Sequence, residues 1–353
     1  MSWEDNVRRV DPYVPGEQPK VIGNLIKLNT NEFPYPPSPK VLEALKEMDY
    51  EKFRLYPAPD IGPLRDALAD HYGLSSEEVF VGDGSDDVIS MAFLTFFCSD
   101  KPVIFPDITY SFYDVWSEVY RIPYCVKPLD KDFRMVKSDY LCENGGIVIA
   151  NPNAPTGVSE MEDALFIEDI VKANPDSVVV VDEAYVDFGG VSVLPLIKKY
   201  DNVLVVQTFS KSRAFAGMRI GYAFGCPKLI KYMNDVKYSV NSYTLNRPAI
   251  ELGIAALSDD EYMKNTLGKV ISTREWTKKE LAARGFVFPD SKTNFVFASP
   301  TKVSAGELFT RLKEKNIFVR WWDKDRIRDY LRITIGTDEE MKALMKAIDE
   351  IQG

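Results

Sequence analysis

Six short apolar runs recur through the middle of the chain: VFV at 79–81, VIF at 103–105, IVIA at 147–150, VVVV at 178–181, VLVV at 203–206 and IGYAF at 220–224. Each is continuous rather than alternating. A strand that is apolar on both faces must be covered on both faces, so these runs predict buried strands of a parallel sheet. Between them the spacing changes to that of helices. Leu64, Leu68 and Tyr72 fall on one helical face, and Phe166, Ile167, Ile170 and Val171 on another. Strand–helix alternation of this kind predicts an α/β domain built on a mostly parallel sheet.

The ends carry a different pattern. SPKVLEALKEM places Ser38 as N-cap and Pro39 in the first turn, with Val41, Leu42, Leu45 and Met48 on one face. Near the other end, Thr337 and Glu340 form a capping box ahead of Met341, Leu344, Met345 and Ile348. FVFAS (295–299), IFVR (317–320) and YLRITIG (330–336) predict strands of a smaller α/β unit. The Pro-rich segment LNTNEFPYPPSP (28–39) reads as a link between the parts. A chain of 353 residues exceeds the size at which one core keeps growing. The expected division is a large domain over 37–245 and a second unit made of 1–36 and 246–353.

Charge and composition narrow the function classes. A net charge of −10 and the absence of basic runs argue against a nucleic-acid partner. No segment reaches the ~18 apolar residues of a membrane helix, and MSWEDNVRRVDPYVPG lacks the apolar core of a signal peptide. The expectation is a cytoplasmic protein away from membranes. The cysteines (Cys98, Cys125, Cys142, Cys226) are scattered and the chain has one histidine, His71, so no metal site is expected. His71 lies in the amphipathic stretch RDALADHYG and reads as a helix-end residue. A Ser-His-Asp hydrolase is therefore disfavoured, and proton transfer must use Lys, Tyr, Asp or a cofactor.

Four segments concentrate the chemistry. GDGSDD (82–87) follows a strand and opens a helix, exposing N–H groups to an anion, although a capped tight turn explains it equally well. NPNAPTG (151–157) is a rigid turn at a strand's C-terminal end, where α/β proteins place ligands. In VVVVDEAY (178–185), Asp182 and Glu183 end a valine run, which sets one acid at the sheet's end over a dry core. Such a carboxylate needs a cationic partner, for which a protonated pyridine nitrogen would serve. In TFSKSRAFAGMRIGYAFG (208–225), Lys211 follows a buried strand beside Thr208, Ser210 and Arg219. A lysine at the mouth of an apolar sheet is readily made nucleophilic, and hydroxyls with a bidentate arginine suit a phosphate.

The combination of NPNAPTG, DEAY and SKSRAFAGMR resembles the fold type I aminotransferases that use pyridoxal 5'-phosphate (PLP). NVRRVDPYVPG, KLNTNEFPYPPSP, FRLYPAPD, FVGDGSDD, VRWWD and YLRITIGT extend the likeness over nearly the whole chain, toward the histidinol-phosphate aminotransferases. The resemblance implies that Lys211 carries the cofactor as a Schiff base and moves the proton. Asp182 would pair with the ring nitrogen, Tyr185 with the ring oxygen O3′, and Tyr110 would stack on the ring. Ser85, Asp86, Thr208, Ser210 and Arg219 would hold the cofactor phosphate, joined by Tyr56 from the second subunit of a homodimer with shared sites.

The substrates implied are histidinol phosphate and glutamate/2-oxoglutarate, exchanged in ping-pong transamination within histidine biosynthesis. Arg332, Arg320 and Tyr13 would bind the substrate phosphate, and Arg332 also the glutamate carboxylate. Aromatic amino-acid transamination and decarboxylation of threonine phosphate are the neighbouring alternatives. One position departs from the family pattern. The asparagine expected directly before PTG, a donor to O3′, is Ala154, and Asn153 is the nearest candidate to replace it.

Overall fold

The computed structural model describes residues 2–20, 24–160 and 165–353. The apolar runs form strands of one seven-stranded sheet: β1 (Val79–Gly82), β2 (Val103–Pro106), β3 (Tyr124–Lys127), β4 (Gly146–Ala150), β5 (Val179–Asp182), β6 (Val203–Thr208) and β7 (Gly221–Phe224). Their order is β1-β7-β6-β5-β4-β2-β3. β7 runs antiparallel to both neighbours and all other pairs are parallel. The continuous runs are continuous because alternate residues enter two different cores. Val179 and Val181 pack with Leu64, Leu68, Ile167 and Ile170 on one face. Val180 packs with Val88, Phe93, Trp116 and Met233 on the other. The edge strand β3 carries no such run, since Tyr124, Cys125 and Val126 are exposed, and its pattern was silent for that reason.

The helices follow their start signals. Helix α1 (Pro39–Glu47) is capped by Ser38, whose Oγ accepts from the Lys40 N–H. Its face divides unexpectedly: Val41 is buried, while Leu42 and Leu45 point outward with Tyr50, Phe53, Leu55 and Tyr56 as an exposed apolar surface. Helix α2 spans Gly62–Tyr72 and α3 spans Gly84–Phe96. Helix α4 (Arg247–Leu257), expected beyond a domain boundary at 245, buries Ala249, Ile250 and Ala256 in the core of the large sheet.

The smaller unit is a four-stranded antiparallel sheet of β8 (Phe286–Val287), β9 (Phe295–Pro300), β10 (Arg320–Trp321) and β11 (Leu331–Thr334), ordered β10-β11-β9-β8. Helix α5 (Asp338–Gln352) begins with the predicted Thr337/Glu340 capping box and packs Met341, Leu344 and Ile348 beneath it. The segment read as a link is built into this unit. Ile26–Lys27 pairs in parallel with Ile317–Phe318, and the Leu28 carbonyl accepts from the Thr334 N–H.

One close approach governs where the large sheet meets α3. A Cβ on Gly221 would overlap the backbone of Gly84 and Ser85, and a Cβ on Gly84 (φ 84°) would collide with the Arg219 guanidinium. Gly217, in the loop before β7, has open space where a Cβ would go. Gly221→Ala should therefore cost at least ~2 kcal/mol in urea unfolding of the apoprotein, while Gly217→Ala should stay within about 0.5 kcal/mol of wild type. Equal effects would show that the strand–helix contact can yield.

Candidate active site

The C-terminal ends of β1, β4, β5 and β6 open into one cavity, as expected for a parallel sheet. It comprises two chambers. The first, about 250 Å³, is lined among others by Ser85, Asp86, Asp182, Ser210 and Arg219. The second, about 240 Å³, is lined by Tyr13, Asn29, Arg320, Trp322 and Arg332 among others. Gln18, Thr30, Tyr110, Ala154, Tyr185 and Lys211 face both.

Asp182 closes β5 at the base of the first chamber. Its Oδ2 accepts from the Tyr113 hydroxyl at 2.9 Å and its Oδ1 from the Ala184 N–H at 3.1 Å. Among the described residues it forms no ion pair, and burial pushes its pKa up to about 6 despite those donors. Its neighbour Glu183 alternates to the opposite side. There Ser192, the Val193 N–H and Gln207 hold it, and burial raises it to about 7. Strand alternation thus decides which of the two acids serves the cavity.

The chamber's far end is the N-terminus of α3. Gly84 and Gly221 bring backbone close together there, and the first-turn N–H groups of Ser85 and Asp86 point outward as an anion cradle. Arg219 sits beside them, 3.2 Å from Asp86. Asp86 also accepts from the Tyr110 hydroxyl at 2.7 Å, which holds that ring at the cavity wall. Ser210 lines the chamber, whereas Thr208 lies behind it, with its Oγ1 bonded to Ser210 and to the Ile220 carbonyl. Lys211 stands between the chambers with Nζ 5.6 Å from the centre of the Tyr185 ring.

In the second chamber two guanidiniums converge on one ring, Arg320 at 5.2 Å and Arg332 at 5.3 Å from Trp322. Arg320 donates to the carbonyls of Val14 and Pro15, and Arg332 to that of Asn29. Arg332 Nε is buried without a partner, and neither arginine forms an ion pair among the described residues. Burial works against the charge on Arg332, so an anion here would gain two uncompensated cations. Tyr13 stacks on Phe112 at 4.2 Å, and burial raises its hydroxyl, so it stays a donor.

Two expected residues stand elsewhere. Asn153 does not line either chamber: its Nδ2 donates to the Ile108 carbonyl and to Thr156, and its Oδ1 accepts from Thr109. Its amide hydrogens are spent, so the donor role expected of it is corrected. Tyr56 lies on the surface, 78% exposed and stacked on Tyr243, outside its own chain's cavity. His71 ends α2 and contacts Arg213 and Asp260, away from the cavity. Gln18, Thr30, Glu32, Asn31, Tyr113 and Trp322 belong to the site or its support without having been singled out. The signal for three of them was present in NTNE, four polar residues directly after Leu28, of which Asn29 and Asn31 are buried.

The residues fit pyridoxal phosphate: an amine, a buried uncompensated carboxylate for a ring nitrogen, a phenol, and an anion cradle backed by Arg219. The sequence pattern of the family described as "Aminotransferase class I and II" matches residues 23–348. The chain is 50% identical to the histidinol-phosphate aminotransferase of Lactococcus lactis subsp. cremoris over 351 residues, 99% of this chain and 98% of that one. With the enzyme of that name from Clostridium botulinum it shares 49% over 349 residues, again 99% and 98%. A histidinol-phosphate aminotransferase from Sinorhizobium meliloti, solved with pyridoxal-5'-phosphate, superposes with a TM-score of 0.84 at 26% identity, covering 93% of this chain and 90% of that one.

The Asp182 carboxyl has a native pKa above its ordinary value, so ionising it costs native stability as pH rises from about 4 through about 6. In the apoprotein, Asp182→Asn should raise stability at pH 8 by up to ~3 kcal/mol and at pH 5 by only about half of that. Thermal unfolding at the two pH values measures this. A loss at pH 8 would mean that Asp182 has a cationic partner within the chain.

Proposed function

This chain belongs to the class I and II aminotransferases, and on that basis we propose that it is a pyridoxal-phosphate enzyme transferring an amino group between histidinol phosphate and 2-oxoglutarate. When bound, the cofactor supplies a ring that accepts the electron pair released as the substrate's α-proton leaves. The protein's contribution is placement and charge. Lys211 would hold the cofactor covalently, and its Nζ, facing both chambers, is the group set to take and return the proton at the substrate's α-carbon. Asp182 would hold the ring nitrogen's proton, Tyr185 the ring oxygen and Tyr110 the ring face. The α3 cradle with Ser85, Asp86, Ser210 and Arg219 would hold the phosphate, with Thr208 supporting Ser210 from behind.

The observation that carries the substrate assignment is the pair of unpaired guanidiniums, Arg320 and Arg332, beside Tyr13 and one chamber away from the first anion site. A doubly charged phosphate uses both, as charge-assisted hydrogen bonds favour. Arg332, the deeper of the two, would then receive the carboxylate of glutamate in the other half of the reaction.

The reading includes a cytoplasmic homodimer. The exposed surface of Leu42, Leu45, Phe53, Leu55, Tyr56 and Tyr243 is apolar enough to be covered by a second copy. Tyr56 within it would reach the partner's cofactor phosphate. No helix among the described residues is long and apolar enough to cross a membrane.

The decisive measurement is turnover of histidinol phosphate against phenylalanine with 2-oxoglutarate as acceptor, where the first should be strongly preferred. Arg320→Ala should cost ~2–3 kcal/mol in kcat/KM for histidinol phosphate and far less for glutamate. Equal losses would remove Arg320 from phosphate recognition. For the shared site, inactive Lys211→Ala and Tyr56→Ala subunits, once mixed and exchanged, should recover activity in hybrid dimers. No recovery after verified exchange would make each site self-contained.

A further inference from the structure

Tyr185 carries one hydroxyl proton, and its direction decides what the phenol can do. Asn31 Nδ2 donates to that hydroxyl at 2.8 Å. The orientation of the amide follows from its other contacts. The Asn31 N–H can only donate, and it donates to Thr334 Oγ1 at 3.1 Å. Thr334 then directs its own proton to Asn31 Oδ1, also at 3.1 Å, which leaves the amide N–H for Tyr185. Asn294 Nδ2 ties down the Asn31 carbonyl at 2.9 Å. Asn31 itself is 2% exposed and left-handed (φ 56°), a conformation asparagine tolerates better than most residues.

We propose that Asn31 is the positioning residue of this site: by occupying the acceptor side of the Tyr185 hydroxyl, it turns that proton into the cavity, toward the cofactor's ring oxygen. The inference rests on the reading of the first chamber as the pyridoxal-phosphate site. It accounts for the alanine at 154. Ala150, Pro152 and Ala154 line that wall without a side-chain donor, and Asn153 is spent elsewhere. Tyr185 is left as the donor at this edge, and a phenol that itself accepts a hydrogen bond donates more strongly. The titratable groups around it are Lys211, Arg332, Tyr13 and Tyr110, and among the described residues none of these hydrogen-bonds its hydroxyl.

The arrangement also links the two chambers. Thr334 lies two residues beyond Arg332 on β11, so the strand that presents the substrate-binding arginine holds the amide that aims Tyr185. A shift of β11 on anion binding would reach the ring oxygen through Thr334, Asn31 and Tyr185.

The test is a pH titration of the visible absorbance of the holoenzyme's bound cofactor. A donor to the ring oxygen stabilises its anionic form, so weakening that donor raises the midpoint. Asn31→Asp keeps the left-handed backbone but offers an acceptor that would draw the Tyr185 proton away, and Asn31→Gly removes the amide. Both should raise the midpoint by about half a pH unit or more. Tyr185→Phe should raise it at least as far, and adding the uncharged Asn31→Gly to Tyr185→Phe should move it no further. Thr334→Val, nearly isosteric, should shift it in the same direction and serves if the Asn31 variants do not fold. A band present in Asn31→Asp, Asn31→Gly or Thr334→Val with an unmoved midpoint, or additive shifts in the double variant, would overturn the proposal. Absence of any visible band in wild-type protein would instead remove the cofactor reading on which it stands.

Discussion

The site is organised around a carboxylate at the end of a dry strand. Asp182 has two hydrogen-bond donors, Tyr113 and the Ala184 N–H; among the described residues it forms no ion pair, and the charge of Lys211 is a lesser influence on it than burial. Hydrogen bonds soften the burial of a charge without removing its cost, so the protein keeps a strained acid where a cationic ring atom would relieve it. The surroundings are consistent with that purpose. β5 is buried along its whole length, and Tyr113 is fully enclosed.

The second chamber has the opposite polarity. Among the described residues Arg320 and Arg332 have no carboxylate partner and are held instead by backbone carbonyls and the Trp322 ring. Neutral acceptors and a π face keep two guanidiniums close together without neutralising them, so their charge remains available to a ligand. Lys211 and Tyr185 lie where these regions meet, with a carboxylate below and unpaired cations above. In the proposed reaction that position would let Lys211 take and return the proton at the substrate's α-carbon between the two regions.

The N-terminal segment shows why connection and site are hard to tell apart in one dimension. LNTNEFPYPPSP has the prolines of a linker, and its polar residues match no helical or strand period. In the fold, Leu28 bonds to β11, Thr30 and Glu32 line the cavity, and Asn31 supports Tyr185. Polar residues without periodicity look the same whether they face water or a ligand, because periodicity reports only packing against an apolar core. Leu42 and Leu45 show the reverse. Their spacing is that of a buried face, yet they are exposed in the single chain, since periodicity does not tell a face that this chain covers from one that it leaves open.

The sequence by itself determined the buried strands, the caps at Ser38 and Thr337, the glycines at the strand–helix turn, and the local grouping of Lys211 with Ser210 and Arg219. These depend on contacts within a few residues or on uninterrupted apolar runs. Only the tertiary structure decided which acid of Asp182 and Glu183 faces the cavity, since a strand's sides are equivalent until its neighbours are placed. It likewise moved Arg247–Leu257 into the large core, turned Asn153 away, and brought Asn31 to Tyr185 across 154 positions of chain. Such pairings are set by how distant strands close around a common core, and no local propensity records them.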